Sequence, residues 1–223
     1  SDFFVTKYNS SGARQWTQTL GVATYDTKAN SINLDSSSNI YVTGSTTGDL
    51  DSESNNGSSD AFLTKYNSSG SKSWTKLFGT YTPDYGKSVF LDSSDNVYIG
   101  IYLGYFNSYG SLKKINSSNG SVTWSALGDN NNMRTLEDAT IDSSDNIYVT
   151  VSGSRFHKYY DNGSNVWTKS PYAGNSVGHS VVTDSSGNVY FSGYTYGSSF
   201  GTDQGGHDIF VVKYNNSAAE QWV

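Results

Sequence analysis

The chain has 223 residues, a formal net charge of −6 and no cysteine. The acidic balance argues against a nucleic-acid partner, because phosphates are bound by clustered lysine and arginine. The lack of cysteine excludes disulfides, thiolate metal sites and a thiol nucleophile from these residues. No apolar stretch approaches the roughly 18 residues that a membrane-spanning helix needs, so we expect no membrane insertion.

Charged residues make up 15% of the chain, whereas serine, asparagine, glycine, threonine and tyrosine are abundant. Solubility therefore comes mainly from neutral hydrogen-bonding groups rather than from surface ions. This composition is typical of secreted or surface-displayed proteins, and we expect an extracellular or cell-surface location.

The first predicted element is a hairpin within residues 1–21. Residues 2–9 read Asp-Phe-Phe-Val-Thr-Lys-Tyr-Asn and are rich in the aromatic and β-branched side chains that favour strands. The same pattern returns at residues 60–67, where it forms the third strand of a complete unit. The chain therefore begins with a half unit that consists of the third and fourth strands.

The first complete unit contains four strand patterns. Residues 31–35 and 40–44 flank a Ser-Ser-Ser-Asn turn, and residues 60–67 and 72–78 flank a turn in which Gly70 is free to adopt a positive φ. Two successive antiparallel hairpins make four strands, which is the composition of a β-propeller blade.

Two landmarks repeat this unit every 42 to 58 residues: a tryptophan, and an aspartate 17 to 19 residues later that opens an Asp-Ser-Ser-x-Asn turn. The tryptophans are Trp16, Trp74, Trp124, Trp167 and Trp222, and the aspartates are Asp35, Asp92, Asp142 and Asp184. The repeat predicts an all-β fold, a β-propeller of four-stranded antiparallel blades. We expect a single repeat domain over residues 1–223, with a half blade at 1–21 and four full blades at about 29–79, 86–128, 136–170 and 178–223.

The repeated motifs resemble those of a known family. Units of the form Asp-x-Phe-x-x-Lys-Tyr-Asn-Ser-Ser-Gly, then Trp-Thr, then Leu-Asp-Ser-Ser-x-Asn-Ile-Tyr-Val-Thr-Gly are similar to the bacterial seven-bladed β-propeller repeats known as SBBP. Their layout is also similar to that of NHL-type blades. The resemblance implies a propeller in an extracellular or cell-surface protein and implies no particular activity. Ile115 and Tyr160 depart from the third-strand motif.

The initial half blade lacks first and second strands to pair with. An isolated two-stranded hairpin is only marginally stable, and an unpaired strand edge recruits neighbours. Two interpretations follow: the residues are a segment of a longer array, or the hairpin pairs with another chain and drives self-assembly.

One polar residue precedes each turn aspartate by five positions, at the predicted entrance to the innermost strand of each blade. These residues are Asn30, Lys87, Glu137 and His179. Side chains with acidic, basic and imidazole groups around the mouth of a central channel could bind a polar ligand or transfer protons. The alternative is sequence drift at a solvated position.

An acidic tract forms the candidate metal site. Asp49, Asp51 and Glu53, with Asp60 farther along, provide the carboxylates that Ca²⁺ prefers, but the tract lacks the glycine of a calcium loop and occurs in one blade only. The alternative is a solvated acidic loop, and we predict no other cofactor. The three histidines lack the spacing of a zinc site.

Loop tyrosines could stack on sugar rings. They are Tyr25, Tyr81, Tyr85, Tyr172, Tyr194 and Tyr196. The first functional hypothesis is a non-enzymatic extracellular propeller that acts as a structural scaffold or binds protein. The alternative is a glycan-binding, lectin-like propeller, and the third is an enzyme with its site at the propeller axis.

Overall fold

The computed structural model describes residues 1–104, 109–126, 135–152, 155–170, 176–196 and 205–223. These residues form strands joined by turns and loops, and their regular structure is entirely β. None of their segments is a helix that could cross a membrane.

The described strands form one two-stranded sheet and four four-stranded sheets, all antiparallel. The first two sheets are built from β1 (Phe3–Tyr8) and β2 (Arg14–Leu20), then β3 (Thr27–Leu34), β4 (Ile40–Thr46), β5 (Asp60–Tyr66) and β6 (Lys72–Phe78). The next sheet contains β7 (Asp84–Leu91), β8 (Val97–Leu103), β9 (Tyr109–Ile115) and β10 (Val122–Ala126).

The two remaining sheets continue the same order. They are built from β11 (Leu136–Ile141), β12 (Ile147–Val151), β13 (Arg155–Tyr159) and β14 (Asn165–Lys169), then β15 (Ser176–Thr183), β16 (Val189–Thr195), β17 (Asp208–Tyr214) and β18 (Glu220–Trp222). Consecutive strands are neighbours within every sheet, so each unit is an up-and-down meander.

The core lies between successive sheets. The hairpin β1–β2 places Phe3 and Val5 against Phe62 and Tyr66 of the sheet β3–β6, and Phe3 stacks on Phe62 with ring centroids 5.1 Å apart. Three further apolar layers lie between the later pairs of neighbouring sheets. Each sheet is therefore stabilised by burial of its apolar faces against its neighbours.

The all-β class and the four-stranded antiparallel sheets are confirmed, while the total number of blades and the closure of a ring stay predictions. The largest error in a strand boundary is at β3, which begins at Thr27, four residues before the predicted residue 31. A shift in pairing register between Ala29 and Ser31 interrupts the alternation of apolar and polar side chains. The predicted end of the second blade, near residue 128, lies outside the described residues.

Candidate functional site

The four candidate channel residues occupy equivalent positions in the first strand of each four-stranded sheet. They are Asn30 in β3, Lys87 in β7, Glu137 in β11 and His179 in β15. Each is the residue at which the pairing register with the second strand shifts. Such a residue forms a β-bulge, which redirects its side chain. Asn30, Lys87 and His179 therefore lie within their strands, whereas Glu137, the second residue of β11, lies at the strand entrance that we predicted for all four.

Two of these residues, Asn30 and Lys87, contact the bulge of the next sheet. Asn30 Nδ2 donates to the carbonyl oxygen of Gly86 at 2.8 Å. Lys87 Nζ and Glu137 Oε2 form an ion pair at 3.6 Å, with 33% and 17% of the two side chains exposed. A partly solvated pair of this kind contributes about 1 kcal/mol or less. No polar contact within the described part of the chain joins Glu137 to His179.

His179 belongs instead to a group of aromatic side chains at the last sheet. Its ring centroid lies 5.4 Å from that of Tyr194. Tyr194 stacks on His207 at 4.9 Å, and Tyr196 approaches the same imidazole edge-on at 4.0 Å. Two of the predicted sugar-stacking tyrosines thus come together, along with two histidines that the sequence pattern did not group. Tyr172 lies outside the described residues.

The acidic tract does not converge on one point. Lys72 Nζ donates to Asp51, and Lys76 Nζ donates to Glu53, while Asp49 Oδ1 accepts the backbone N–H of Asn55 at 2.8 Å. Among the residues that the structure describes, no three acidic or imidazole side chains are arranged to hold a metal ion. Calcium binding stays a prediction.

Asp60 is completely buried at the start of β5. Its Oδ2 accepts the backbone N–H of Asn56 at 2.9 Å, and its Oδ1 has no partner among the described residues. Burial, together with the nearby carboxylate of Asp84, raises the pKa of Asp60. Since Asp84 is also completely buried, two acidic groups share an interior region, and Asp60 is better suited to a structural role than to metal binding in the solvated loop.

The repeated turn aspartates hold their own hairpins. In the second unit, Asp92 Oδ1 accepts the backbone N–H groups of Ser94 and Asn96, and its Oδ2 accepts Asn96 Nδ2 and the Tyr98 hydroxyl, all at 2.7–3.0 Å. Asp35, Asp142 and Asp184 make the same four contacts. These carboxylates are therefore fully engaged in folding the turn.

A lysine and a tryptophan flank the tyrosine that each turn aspartate holds. Lys65 Nζ lies 5.1 Å from the ring centroid of Tyr41, and Trp74 is tilted against the same ring at 6.2 Å. The equivalent lysines are Lys114, Lys158 and Lys213, and the equivalent tryptophans are Trp124, Trp167 and Trp222. The cation–π contact holds each lysine over the tyrosine ring of its own sheet.

The tryptophan also contacts the next sheet directly. Trp74 Nε1 donates to the carbonyl oxygen of Ser117 at 3.3 Å, and Lys65 Nζ donates to the same oxygen at 3.0 Å. The Trp74 ring covers Gly120, whose φ is +77°; a methyl group there would lie 2.9 Å from the ring. Trp16 covers Gly70 and Trp124 covers Gly163 in the same way. The tryptophans therefore join sheets, in agreement with a structural role.

His157 is a buried histidine that we had not singled out. It is 4% exposed, its Nδ1 lies 3.0 Å from Thr168 Oγ1, and its Nε2 has no partner in the described residues. Burial, with a smaller effect of Arg155, lowers its pKa to about 4. His157 aligns with Thr64 of the first full unit, which contacts Thr75 at 3.0 Å. Comparing the repeats at this position could have shown from the sequence that a histidine replaces a threonine there.

Solved structures share this fold. The chain is similar to BamB from Moraxella catarrhalis, with a TM-score of 0.59 and 12% identity over 98% of this chain and 58% of that one. The extracellular domain of a putative hybrid two component system from B. thetaiotaomicron matches with a TM-score of 0.52 and 16% identity, over 89% of this chain and 22% of that one. At these identities the likeness concerns the fold alone.

A streptogramin B lyase structure also matches, with a TM-score of 0.55 and 12% identity over 98% of this chain and 74% of that one. No curated protein matches the chain by sequence. A family model described as the SBBP β-propeller repeat matches residues 15–51, a stretch that runs from β2 past the end of β4. The chain therefore carries the SBBP repeat and has a β-propeller fold.

Proposed function

We propose that the chain is a non-enzymatic scaffold outside the cell or at its surface, and that it binds protein. The partner that the exposed surfaces favour is a second copy of the same chain. The proposal rests on one observation: the two outermost sheets expose apolar faces that are buried at the equivalent positions of the inner sheets. Exposed apolar patches of this kind mark interaction sites.

The last sheet provides the first of these faces. Ile209 is 85% exposed and Val211 is 41% exposed, whereas their equivalents Ala61 and Leu63 are completely buried against the following sheet. Trp222 is 48% exposed, although three of the corresponding tryptophans in earlier sheets each cover a turn of the next sheet. We call Ile209, Val211 and Trp222 the trailing face.

The initial hairpin provides the complementary face. Phe4 and Tyr8 are 70% and 60% exposed, whereas their equivalents Phe62 and Tyr66 are 0% and 3% exposed. A methyl group at Gly12, in the hairpin turn, would meet no atom within 4 Å, whereas Gly70, Gly120 and Gly163 are covered by tryptophans. We call Phe4, Tyr8 and Gly12 the leading face.

The junction between the hairpin and the next sheet shows how such faces fit. There Phe3, Val5 and Trp16 pack against Phe62 and Tyr66. The first three are equivalent, in that order, to Ile209, Val211 and Trp222 of the trailing face. Phe62 and Tyr66 are equivalent to Phe4 and Tyr8 of the leading face. The trailing face of one copy can therefore receive the leading face of another by the contact already used within the chain. Such a head-to-tail contact gives a ring if it closes and a filament if it does not.

The test is sedimentation velocity over a range of protein concentrations. We expect the average mass to rise with concentration, and Phe4→Lys or Ile209→Lys each to yield a monomer. An equimolar mixture of the two variants should form dimers but nothing larger, because only one pair of faces remains intact. Val122→Lys, at an exposed site on an inner sheet, is the control and should associate normally. A monomer at every concentration would contradict the proposal.

Glycan binding is the second candidate, and the group formed by Tyr194, Tyr196, His179 and His207 favours it, since sugars stack on exposed aromatic rings. A glycan array on the unmodified chain and on Tyr196→Ala tests it. The enzyme hypothesis is the third candidate, and it has less support because no polar contact among the described residues joins the Lys87–Glu137 pair to His179.

A further inference from the structure

A serine of one sheet binds a carboxylate of the next at two successive junctions. The backbone N–H of Ser36 donates to Asp95 Oδ1 at 2.9 Å, and the Ser36 hydroxyl donates to Asp95 Oδ2. Ser93 makes the same two bonds to Asp145, at 3.0 and 2.9 Å. Each serine directly follows a turn aspartate, and each acceptor is the variable residue of the next Asp-Ser-Ser-x-Asn turn.

The third junction retains the donors and lacks the carboxylate. Ser143 is the equivalent serine, but the variable residue of the next turn is Gly187. Neither the backbone N–H nor the hydroxyl of Ser143 has a hydrogen-bond partner among the described residues. A pocket of about 360 Å³ lies here, and it includes Ser143, Gly187 and Lys158 in its lining.

Lys158 adds a positive charge to this pocket. Lys158 is 8% exposed. Its Nζ lies over the Tyr148 ring, 5.3 Å from the centroid, and donates no hydrogen bond to the described residues. Its equivalent at the first junction, Lys65, helps to keep the pKa of Asp95 below its ordinary value, after the larger effect of the hydrogen bonds from Ser36. Lys158 therefore provides a positive charge beside the position where the first two junctions have a carboxylate and this junction has none.

The nearby carboxylate of Asp142 does not block such a site. Its oxygens already accept bonds from Ser144, Asn146 and Tyr148. The equivalent Asp35 and Asp92 are present in the two turns whose serines do bind a carboxylate. A second negative group is thus tolerated wherever serine donors and a lysine surround it.

We propose that the pocket between the third and fourth four-stranded sheets binds the carboxylate of a hydroxylated acid such as a hexuronate, with Ser143 and Lys158 as its ligands. The remaining lining carries hydroxyl and amide groups from Ser144, Ser185, Ser186 and Asn216. These groups complement sugar hydroxyls, and few apolar side chains are available to an aliphatic acid. The pocket volume is in the range of small-molecule sites.

The decisive experiment is a titration of the ¹⁵N-labelled chain with sodium glucuronate at constant ionic strength, followed by NMR. We expect saturable shifts of the Ser143 and Gly187 amides, while the Ser36 and Ser93 amides stay unchanged. Glucose should cause no shift, and acetate should bind at least 10-fold more weakly than glucuronate. Equal affinity for acetate would overturn the assignment to a hydroxylated acid.

Gly187→Asp is the most informative variant, because it places a carboxylate of the chain itself at the position that Asp95 and Asp145 occupy at the other two junctions. Gly187 has a φ of +75°, close to the +61° of Asp95 and Asp145, and a methyl group there would lie 3.7 Å from Asn216 Cβ, an ordinary contact. The variant should fold and lose glucuronate binding at least 10-fold. Ser143→Ala should also weaken binding, whereas Ser93→Ala should not. Unchanged affinity in Gly187→Asp, or no saturable shift with glucuronate, would overturn the site.

Discussion

At the scale of single residues, the repeat shows which side chains are exceptional. One position of the third strand directly precedes the lysine that recurs in every unit. It is threonine in the initial hairpin and in the first full unit, at Thr6 and Thr64, and each of these contacts a threonine on the fourth strand. In the later units it is Lys113, His157 and Val212. The two ionisable members are desolvated, since burial lowers the pKa of Lys113 and that of His157. Their energetic effect therefore depends on pH.

Replacing His157 by threonine should reduce the loss of stability in acid. His157 has a pKa of about 4 in the folded chain and an ordinary value of 6.5, so the unfolded chain binds more protons between these values and stability falls as the pH drops from about 6.5 to 4. The loss at pH 4.5 should be about 2.5 kcal/mol relative to pH 7.5. Urea unfolding at both pH values measures it.

His157→Thr should not show this loss of stability between pH 7.5 and pH 4.5, because threonine does not titrate there. The variant should still fold, since the introduced threonine can contact Thr168 as Thr64 contacts Thr75. The exposed His179→Thr is the control and should follow the unmodified chain at both pH values. Parallel pH profiles for His157→Thr and the unmodified chain would contradict the prediction.

Replacing the buried Asp60 by asparagine should stabilise the chain at neutral pH. The raised pKa of Asp60 means that its contribution is fully present below the ordinary value of 3.8 and is lost as the pH rises through the folded value. Asparagine keeps an acceptor for the Asn56 N–H and removes the charge beside Asp84, so we expect a gain of about 1 kcal/mol at pH 7.

Thermal unfolding at pH 3.5 and pH 7 tests this gain, which should shrink at the lower pH. Asp2→Asn, at the equivalent but exposed position, should change little at either pH. A lower stability of Asp60→Asn at pH 7 would show that the carboxylate is needed.

At the scale of elements, the hairpin turns carry the contacts between sheets. The turn between the third and fourth strands needs a positive φ, and three of its glycines also lie beneath a tryptophan of the preceding sheet. Both the positive φ and the contact with the tryptophan therefore favour glycine at these positions. The free hairpin separates the two effects, because Gly12 has the same backbone conformation and no covering ring.

Gly120→Ala should therefore destabilise the chain more than Gly12→Ala. Both alanines would be strained at φ values of +77° and +79°, at about 1 kcal/mol each. A methyl group at residue 120 would also lie 2.6 Å from Lys76 Cγ and 2.9 Å from the Trp74 ring, and such overpacking adds about 1–3 kcal/mol. Equal losses of unfolding free energy in denaturant titrations would show that the stacking contact contributes nothing.

At the scale of the whole molecule, the repeat made the sheets predictable and the contacts between them less so. Period and alternation are local signals, and they located the hairpins, the turn aspartates and the tryptophans. They misplaced the start of β3, because the bulge at Asn30 breaks the alternation. The Ser36–Asp95 bonds and the grouping of His179 with Tyr194 join residues distant in the sequence, and no periodic pattern reports such pairs.

The bulge in the first strand of each sheet has one further consequence. Because the residue there stands outside the ladder of paired strands, Asn, Lys, Glu and His occupy it in turn while the flanking pairs keep their register. The pairing of the strands therefore does not depend on which side chain stands at these four places. A library randomised only at Asn30, Lys87, Glu137 and His179 would therefore change these four side chains while leaving every strand partner in place.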